Sequence, residues 1–351
     1  MSPPRSQSGP GGGFTLIELM VSMGILSLLL FVLISMTNTT QRTWTNTTEK
    51  IEQFREAREA FEAMARRLSL ATLNTYWDYH YPNNNTSAAP DGYIRQSELR
   101  FICGDAATLT GSANTAGHAV FFQAPLGFVS NTSYANLNTL LNTWGYFIEF
   151  SNDSAGRPDF INSMAKSPAL RYRFRLMELM EPGESLSLYN AEVAAGGNQS
   201  YTGSDWFTTP LSSANRPVRI LAENIVALVL LPKLSPADDA TETLLCPKYS
   251  YNSVKTNDAN SVTADAAINW KNQLPPEIQV VMVAVDEASY SRFQTDTAMP
   301  SLTAGLFADA NKFTADLDTL QTTLRSHRLN YRIFTSTIGI KGAKWSREQT
   351  N

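Results

Sequence analysis

Apolar and polar positions along this chain fall into two regimes. From Phe14 to Met36 the residues are almost all apolar and Glu18 is the only charge. As a helix this run of about 23 residues is about 34 Å long, enough to cross a bilayer. Beyond it, Trp44, Thr48, Ile51, Phe54, Arg58, Phe61, Ala65, Leu68 and Thr72 recur at three- and four-residue spacing, and most are apolar. Polar residues fill the other faces, with Arg55 and Glu59 at i, i+4 spacing. No proline occurs between Phe14 and Tyr81, so the pattern predicts that one helix continues through residues 37–80 and packs its apolar stripe on a sheet. Pro82, Asn83, Asn84 and Asn85 then break the pattern.

From Glu98 on, the period shortens towards two. Strands are predicted at Leu99–Cys103, Ala119–Gln123, Gly145–Ser151, Leu170–Met180, Val218–Leu231, Ile278–Asp286 and Tyr331–Ile340. Gly-, Asn- and Ser-rich stretches at Gly104–Gly117, Ala194–Asp205 and Pro236–Thr243 read as loops. A second helix is predicted near the end, with Phe313, Leu317, Leu320 and Leu324 on one face and Asp309 as its cap. The fold class is therefore α+β: a long N-terminal membrane-spanning helix and a β-rich head over residues 81–351.

Composition narrows the setting. The chain has 351 residues, 43% hydrophobic and 17% charged, with a net charge of −4, so it carries no broad basic field for nucleic acid. Few charges among abundant Asn, Thr and Ser fit a surface outside the cytoplasm. Residues 1–13 hold Arg5 and no acid, which keeps them on the cytoplasmic side and sends the rest outward. Cys103 and Cys246 are the only cysteines; they form either a disulfide or two separate buried thiols.

The head offers little catalytic chemistry. His80, His118 and His327 lack metal-ligand spacing, and no nucleophile elbow, P-loop or dinucleotide fingerprint occurs. Acids gather at Asp238-Asp239 and between Asp309 and Asp318 without the alternation of a calcium loop, and read as a solvated loop and a helix face. Asp153, Arg157 and Asp159 share a polar loop that could meet a ligand. No cofactor and no small-molecule substrate are expected.

The sharper signal is at the head of the apolar run. A carboxylate near the start of a membrane helix costs roughly 2.5–3.5 kcal/mol on insertion scales, so Glu18 needs a reason. The stretch Gly13-Phe14-Thr15-Leu16-Ile17-Glu18 resembles the processing site of type IV prepilins and pseudopilins. That resemblance implies a 13-residue leader (1–13) cut after Gly13 by a prepilin peptidase and methylation of the new N-terminal Phe14. It also implies a retained spine helix (14–36, continued by 37–80), with Glu18 paired to the amine of a neighbouring subunit during filament assembly. Farther along, Leu221-Ala222-Glu223-Asn224-Ile225-Val226-Ala227-Leu228, Trp270, Leu274-Pro275-Pro276-Glu277-Ile278-Gln279-Val280 and Tyr331-Arg332-Ile333-Phe334 resemble the J-type minor pseudopilins of type II secretion. Val120-Phe121-Phe122-Gln123-Ala124-Pro125-Leu126-Gly127, Leu176-Met177-Glu178, Val283-Ala284-Val285-Asp286-Glu287 and Gly342-Ala343-Lys344-Trp345-Ser346 are similar to the Verru_Chthon cassette protein C family of prepilin-like proteins.

Carried over, these resemblances imply a pilin-like head of one or two antiparallel sheets. They imply a non-enzymatic subunit of a type II secretion or type IV pilus-like filament, single-pass in the bacterial inner membrane with its head in the periplasm. The expected partners are the prepilin peptidase and other pseudopilins or pilins. The alternative is a pilin-anchored extracytoplasmic binding or hydrolytic domain.

Overall fold

The structure, a computed structural model, describes residues 15–164, 166–196, 203–236, 245–255, 269–294 and 297–346. The chain divides into two units, Met1–Glu52 and Gln53–Asn351. The described part of the first is the beginning of helix α1, Leu16–Leu68. Its large apolar side chains from Leu16 to Met36 are exposed.

In the second unit the end of α1 turns its apolar stripe inward. Ala57, Ala60, Phe61, Met64 and Leu68 are buried in the main core, and Phe54 and Ala65 pack against it. Arg55–Glu59 and Arg58–Glu62 pairs lie on the solvent side. The helix stops at Leu68, short of the predicted residue 80, and Tyr76–His80 is strand β1. The reason lies in the residues: Tyr76-Trp77-Asp78-Tyr79-His80 is aromatic and alternating, which suits a pleated ribbon better than a helix. Among the described residues β1 pairs only with β2, Gly92–Gln96, as a separate hairpin.

The remaining elements follow in order. They are β3 Phe101–Asp105, α2 Ala106–Thr110, β4 Thr115–Pro125, β5 Leu141–Ser151, α3 Asp159–Asn162 and β6 Arg173–Glu181. After these come α4 Ser187–Ala194, α5 Asp205–Ser212, β7 Val218–Glu223, β8 Ile225–Lys233 and β9 Tyr251–Asn252. β10 Glu277–Val285, α6 Glu287–Phe293, α7 Phe313–Ser326 and β11 Tyr331–Gly339 complete the fold. Among the described residues every pairing is antiparallel, in a six-stranded sheet of order β7-β6-β5-β4-β3-β9, a three-stranded sheet β11-β10-β8 and the hairpin. The described residues thus form three sheets where one or two were expected.

The six-stranded sheet is covered on both faces, which explains why β4 and β5 are buried almost end to end. One face carries Phe122, Trp144, Tyr146, Ile148, Phe174 and Leu176 into the main core, together with the end of α1 and the three-stranded sheet. The other carries Phe121, Phe147 and Leu179 against Leu188, Trp206 and Phe207 from α4 and α5. Phe121 stacks on Phe207 with centroids 4.1 Å apart.

Two predicted elements are redrawn. The strand predicted over Val218–Leu231 is two strands in different sheets, broken at Asn224, whose φ of 59° is left-handed and turns the chain from one sheet to the other. The loop predicted at Gly104–Gly117 holds α2, capped by Asp105 accepting from the Thr108 N–H, and the start of β4. At Gly117, φ is 65° and a Cβ would lie 2.6 Å from the Leu228 carbonyl oxygen; only glycine lets the bulged β4 approach β8 this closely. The loops at Ala194–Asp205 and Pro236–Thr243 fall largely outside the described residues. The C-terminal helix is present as α7, with Leu320 and Leu324 buried and Phe313 and Leu317 packed on the core. Asp309 caps the preceding turn Ala310–Lys312, not α7 itself.

Candidate functional site

The candidate site is the first turn of α1. Thr15 stands just before the helix, and its carbonyl accepts the first helical bond, from the Leu19 N–H at 3.2 Å. Glu18 Oε2 accepts from the Thr15 N–H at 3.0 Å and from the Thr15 hydroxyl at 2.9 Å, while Thr15 Oγ1 faces the Glu18 N–H at 3.3 Å. This reciprocal arrangement is a capping box: the threonine side chain serves the amide three residues on, and the acid serves the threonine amide. Its negative charge also sits where the helix dipole is positive. Thr15 is a functional residue beyond those expected from the sequence, although the Thr-x-x-Glu spacing ahead of an apolar run is the signal for it. Gly13 and Phe14 lie outside the described residues. Leu16–Thr45 is the one helix among the described residues long and apolar enough to cross a membrane, which fits a single-pass membrane protein.

The other residues singled out in the sequence do not converge. The described residues include no group of three His, Cys, Asp or Glu side chains placed to hold a metal. His80 Nδ1 lies 2.5 Å from Asp91 Oδ1, and His327 packs its ring on Phe293. His118 is buried: its Nδ1 accepts from the Leu230 N–H and its Nε2 donates to the Phe307 carbonyl, both at 3.0 Å. Because a backbone amide can only donate, the ring proton is on Nε2. Burial lowers the pKa of this ring. The imidazole thus ties β8 to the segment before α7 across β4.

Asp153 pairs with Arg157 at 3.0 Å and Arg171 at 3.3 Å, and Arg157 also donates to the Pro168 and Ala169 carbonyls. Burial works to raise the Asp153 pKa, but the Arg171 amide and the two guanidiniums outweigh it and hold the carboxyl below its usual range. These bonds brace a loop, and Asp159 takes no part in them. Asp316 accepts from the Phe307 amide, and Asp309 lies 3.7 Å from Lys248. Asp238 and Asp239 fall outside the described residues. Cys103 and Cys246 are both buried free thiols of the main core. Burial pushes both thiols up, and at Cys246 the neighbouring Cys103 adds to it.

One charged cluster escaped the sequence reading. Glu178 of β6 is fully buried and ion-paired to Arg67 of α1 and Arg219 of β7, and it accepts from the Tyr146 hydroxyl at 2.8 Å. The Arg67 guanidinium lies 4.6 Å from the Trp144 ring centroid. The end of the helix is therefore tied to the sheet by a desolvated charge as well as by apolar packing. Only an acid on the core-facing side of β6, in line with the apolar Phe174, Leu176 and Met180, hinted at it.

Comparison with protein-family models, curated proteins and solved structures finds no match.

Proposed function

We propose that this chain is a non-enzymatic, prepilin-like subunit of a type II secretion or type IV pilus-like filament. It is anchored in the inner membrane by the first part of α1 and holds its head in the periplasm. A prepilin peptidase cuts after Gly13, Phe14 becomes the methylated N-terminus, and Glu18 pairs with the N-terminal amine of a neighbouring subunit. The observation that carries this reading is the stretch Gly13-Phe14-Thr15-Leu16-Ile17-Glu18 set directly on an exposed apolar helix whose far end joins the core of a β-rich head. A cut before the apolar run keeps that helix as an assembly surface, whereas a secretory signal is cut after its apolar region and lost.

Intact-mass analysis of membrane-extracted protein tests it. The expected mass lacks Met1–Gly13 and carries one added methyl. Gly13→Val leaves the precursor uncut, because a branched side chain crowds the peptidase site. A mature N-terminus beyond Met36 overturns the reading.

A further inference from the structure

The β1–β2 hairpin exposes aromatic rings that the head does not use for its core. Trp77, Tyr79 and Tyr93 are 54%, 50% and 54% exposed. Alternation places Trp77, Tyr79 and Tyr81 on one side of the ribbon, and the register sets Tyr93 opposite Tyr79 and Arg95 opposite Trp77. The rings run together: Tyr79 is 5.3 Å from Tyr93 and 6.4 Å from Tyr81, centroid to centroid. The Arg95 guanidinium lies 5.5 Å from the Trp77 centroid. Arg95 is itself buried, and its Nε and Nη2 have no hydrogen-bond partner among the described residues.

A two-stranded ribbon is marginal alone, and this one is clamped at its base. Asn74 Oδ1 accepts from the Ser97 hydroxyl and from the Glu98 and Leu99 amides, at 2.9 to 3.1 Å. Asn272 donates to the Arg95 carbonyl at 2.6 Å and accepts from the Thr75 hydroxyl at 3.2 Å. The hairpin is thus held in place while its ring face points outward. Its apex carries the exposed, uncharged Asn83, Asn85, Thr86 and Ser87.

We propose that this face is a carbohydrate-binding platform that takes a β-1,4-linked polysaccharide strand. The equatorial hydroxyls of such a strand leave flat C–H faces that stack on the rings, and the apex amides and hydroxyls meet the sugar hydroxyls. Five-residue strands make a ribbon only about 17 Å long and two strands wide, too small for the ~800 Å² per partner of a standard protein interface. A nucleic acid strand would need a basic groove for its phosphates, and the single cation of this face is buried under Trp77. A sugar chain needs neither area nor charge. The proposal stands on the hairpin alone and does not depend on the filament reading.

Calorimetric titration of the full-length protein in detergent with chitohexaose and with cellohexaose tests it. Saturable binding to at least one is expected. Trp77→Ala and Tyr79→Ala each weaken it at least tenfold at an unchanged melting temperature, Trp77→Phe retains it within about threefold, and Trp44→Ala on α1 leaves it unaltered. Failure of the wild-type protein to bind either oligosaccharide, or alanine variants that bind as wild type does, overturns the proposal. So does quenching of Trp77 by brominated lipid in nanodiscs, which assigns the rings to the membrane surface.

Discussion

At the residue scale, Glu18 carries two separable roles. Its carboxylate caps its own helix through Thr15, and in the proposed filament it neutralises a neighbour's amine. The two need different chemistry. Capping needs a hydrogen-bond acceptor, which glutamine keeps, while the ion pair needs the charge, which glutamine loses. Glu18→Gln therefore keeps the first turn of α1 but loses crosslinking to partner pilins in membranes, and Glu18→Leu loses both. Both variants are still cut at Gly13. If Glu18→Gln crosslinks as wild type does and Glu18→Leu does not, capping alone explains the residue. The acid and its cost in lipid stand out in the residues themselves; the partner that the Thr15 backbone amide offers within the same chain is signalled only by the Thr-x-x-Glu spacing.

At the element scale, the end of α1 is joined to the sheet in two ways, by an apolar stripe and by the Arg67–Glu178–Arg219 cluster. Removing one member of a buried ion pair leaves an uncompensated charge and costs about 3–5 kcal/mol, whereas removing both can be nearly neutral. Arg219 still faces Glu178 when Arg67 is lost, so Arg67→Met falls near the low end of that range. A double-mutant cycle of Arg67→Met with Glu178→Met, read by thermal melting of the detergent-solubilised protein, is expected to be non-additive, the pair being less destabilised than the sum of the singles. Strict additivity would mean that the apolar stripe alone holds the helix. The hairpin makes the complementary point. Its alternating aromatics were visible in the sequence, but the lack of a proline before Tyr81 let the helix pattern run over them.

At the scale of the whole molecule, buried titratable groups pull stability in opposite directions as pH falls. His118 has a lowered pKa, so the unfolded chain takes up a proton first, and stability is lost below about pH 6.5. Glu192 of α4, buried beside Arg100 at 3.0 Å, is pushed up to about 7 by burial. The folded state holds its proton where the unfolded state has released it, so stability is gained between pH 7 and about 4.5. Across that window the two effects offset each other. Glu287 opposes the second trend lower down. Burial works to raise its pKa, but Arg173, Ser291 and Asn224 outweigh it and hold it at about 2, so its contribution is lost as pH falls below about 4.5. Melting temperatures at pH 7.5 and 5.5 check the offset. On acidification Glu192→Gln falls further than wild type and His118→Gln falls less or rises; parallel shifts in all three proteins would remove both groups from the balance.

What the sequence by itself determined is what neighbours in the chain decide. The apolar run after Phe14, the inward stripe of α1, the strand character of β4, β5, β6 and β10 and the buried face of α7 all follow from the local pattern of residues. The candidate site at Gly13, Phe14 and Glu18 is equally local, and so was the capping signal at Thr15. The tertiary structure alone decided where α1 ends, which strands pair, that Asn224 passes the chain between sheets, and that β4 and β5 are covered on both faces. It also chose the partners of buried polar groups: Arg67 meets Glu178 across 111 residues of chain, and His118 meets Phe307 across 189. Such pairings satisfy desolvated charges and donors brought together by packing, and a contact between distant positions leaves no period in the residues around either one.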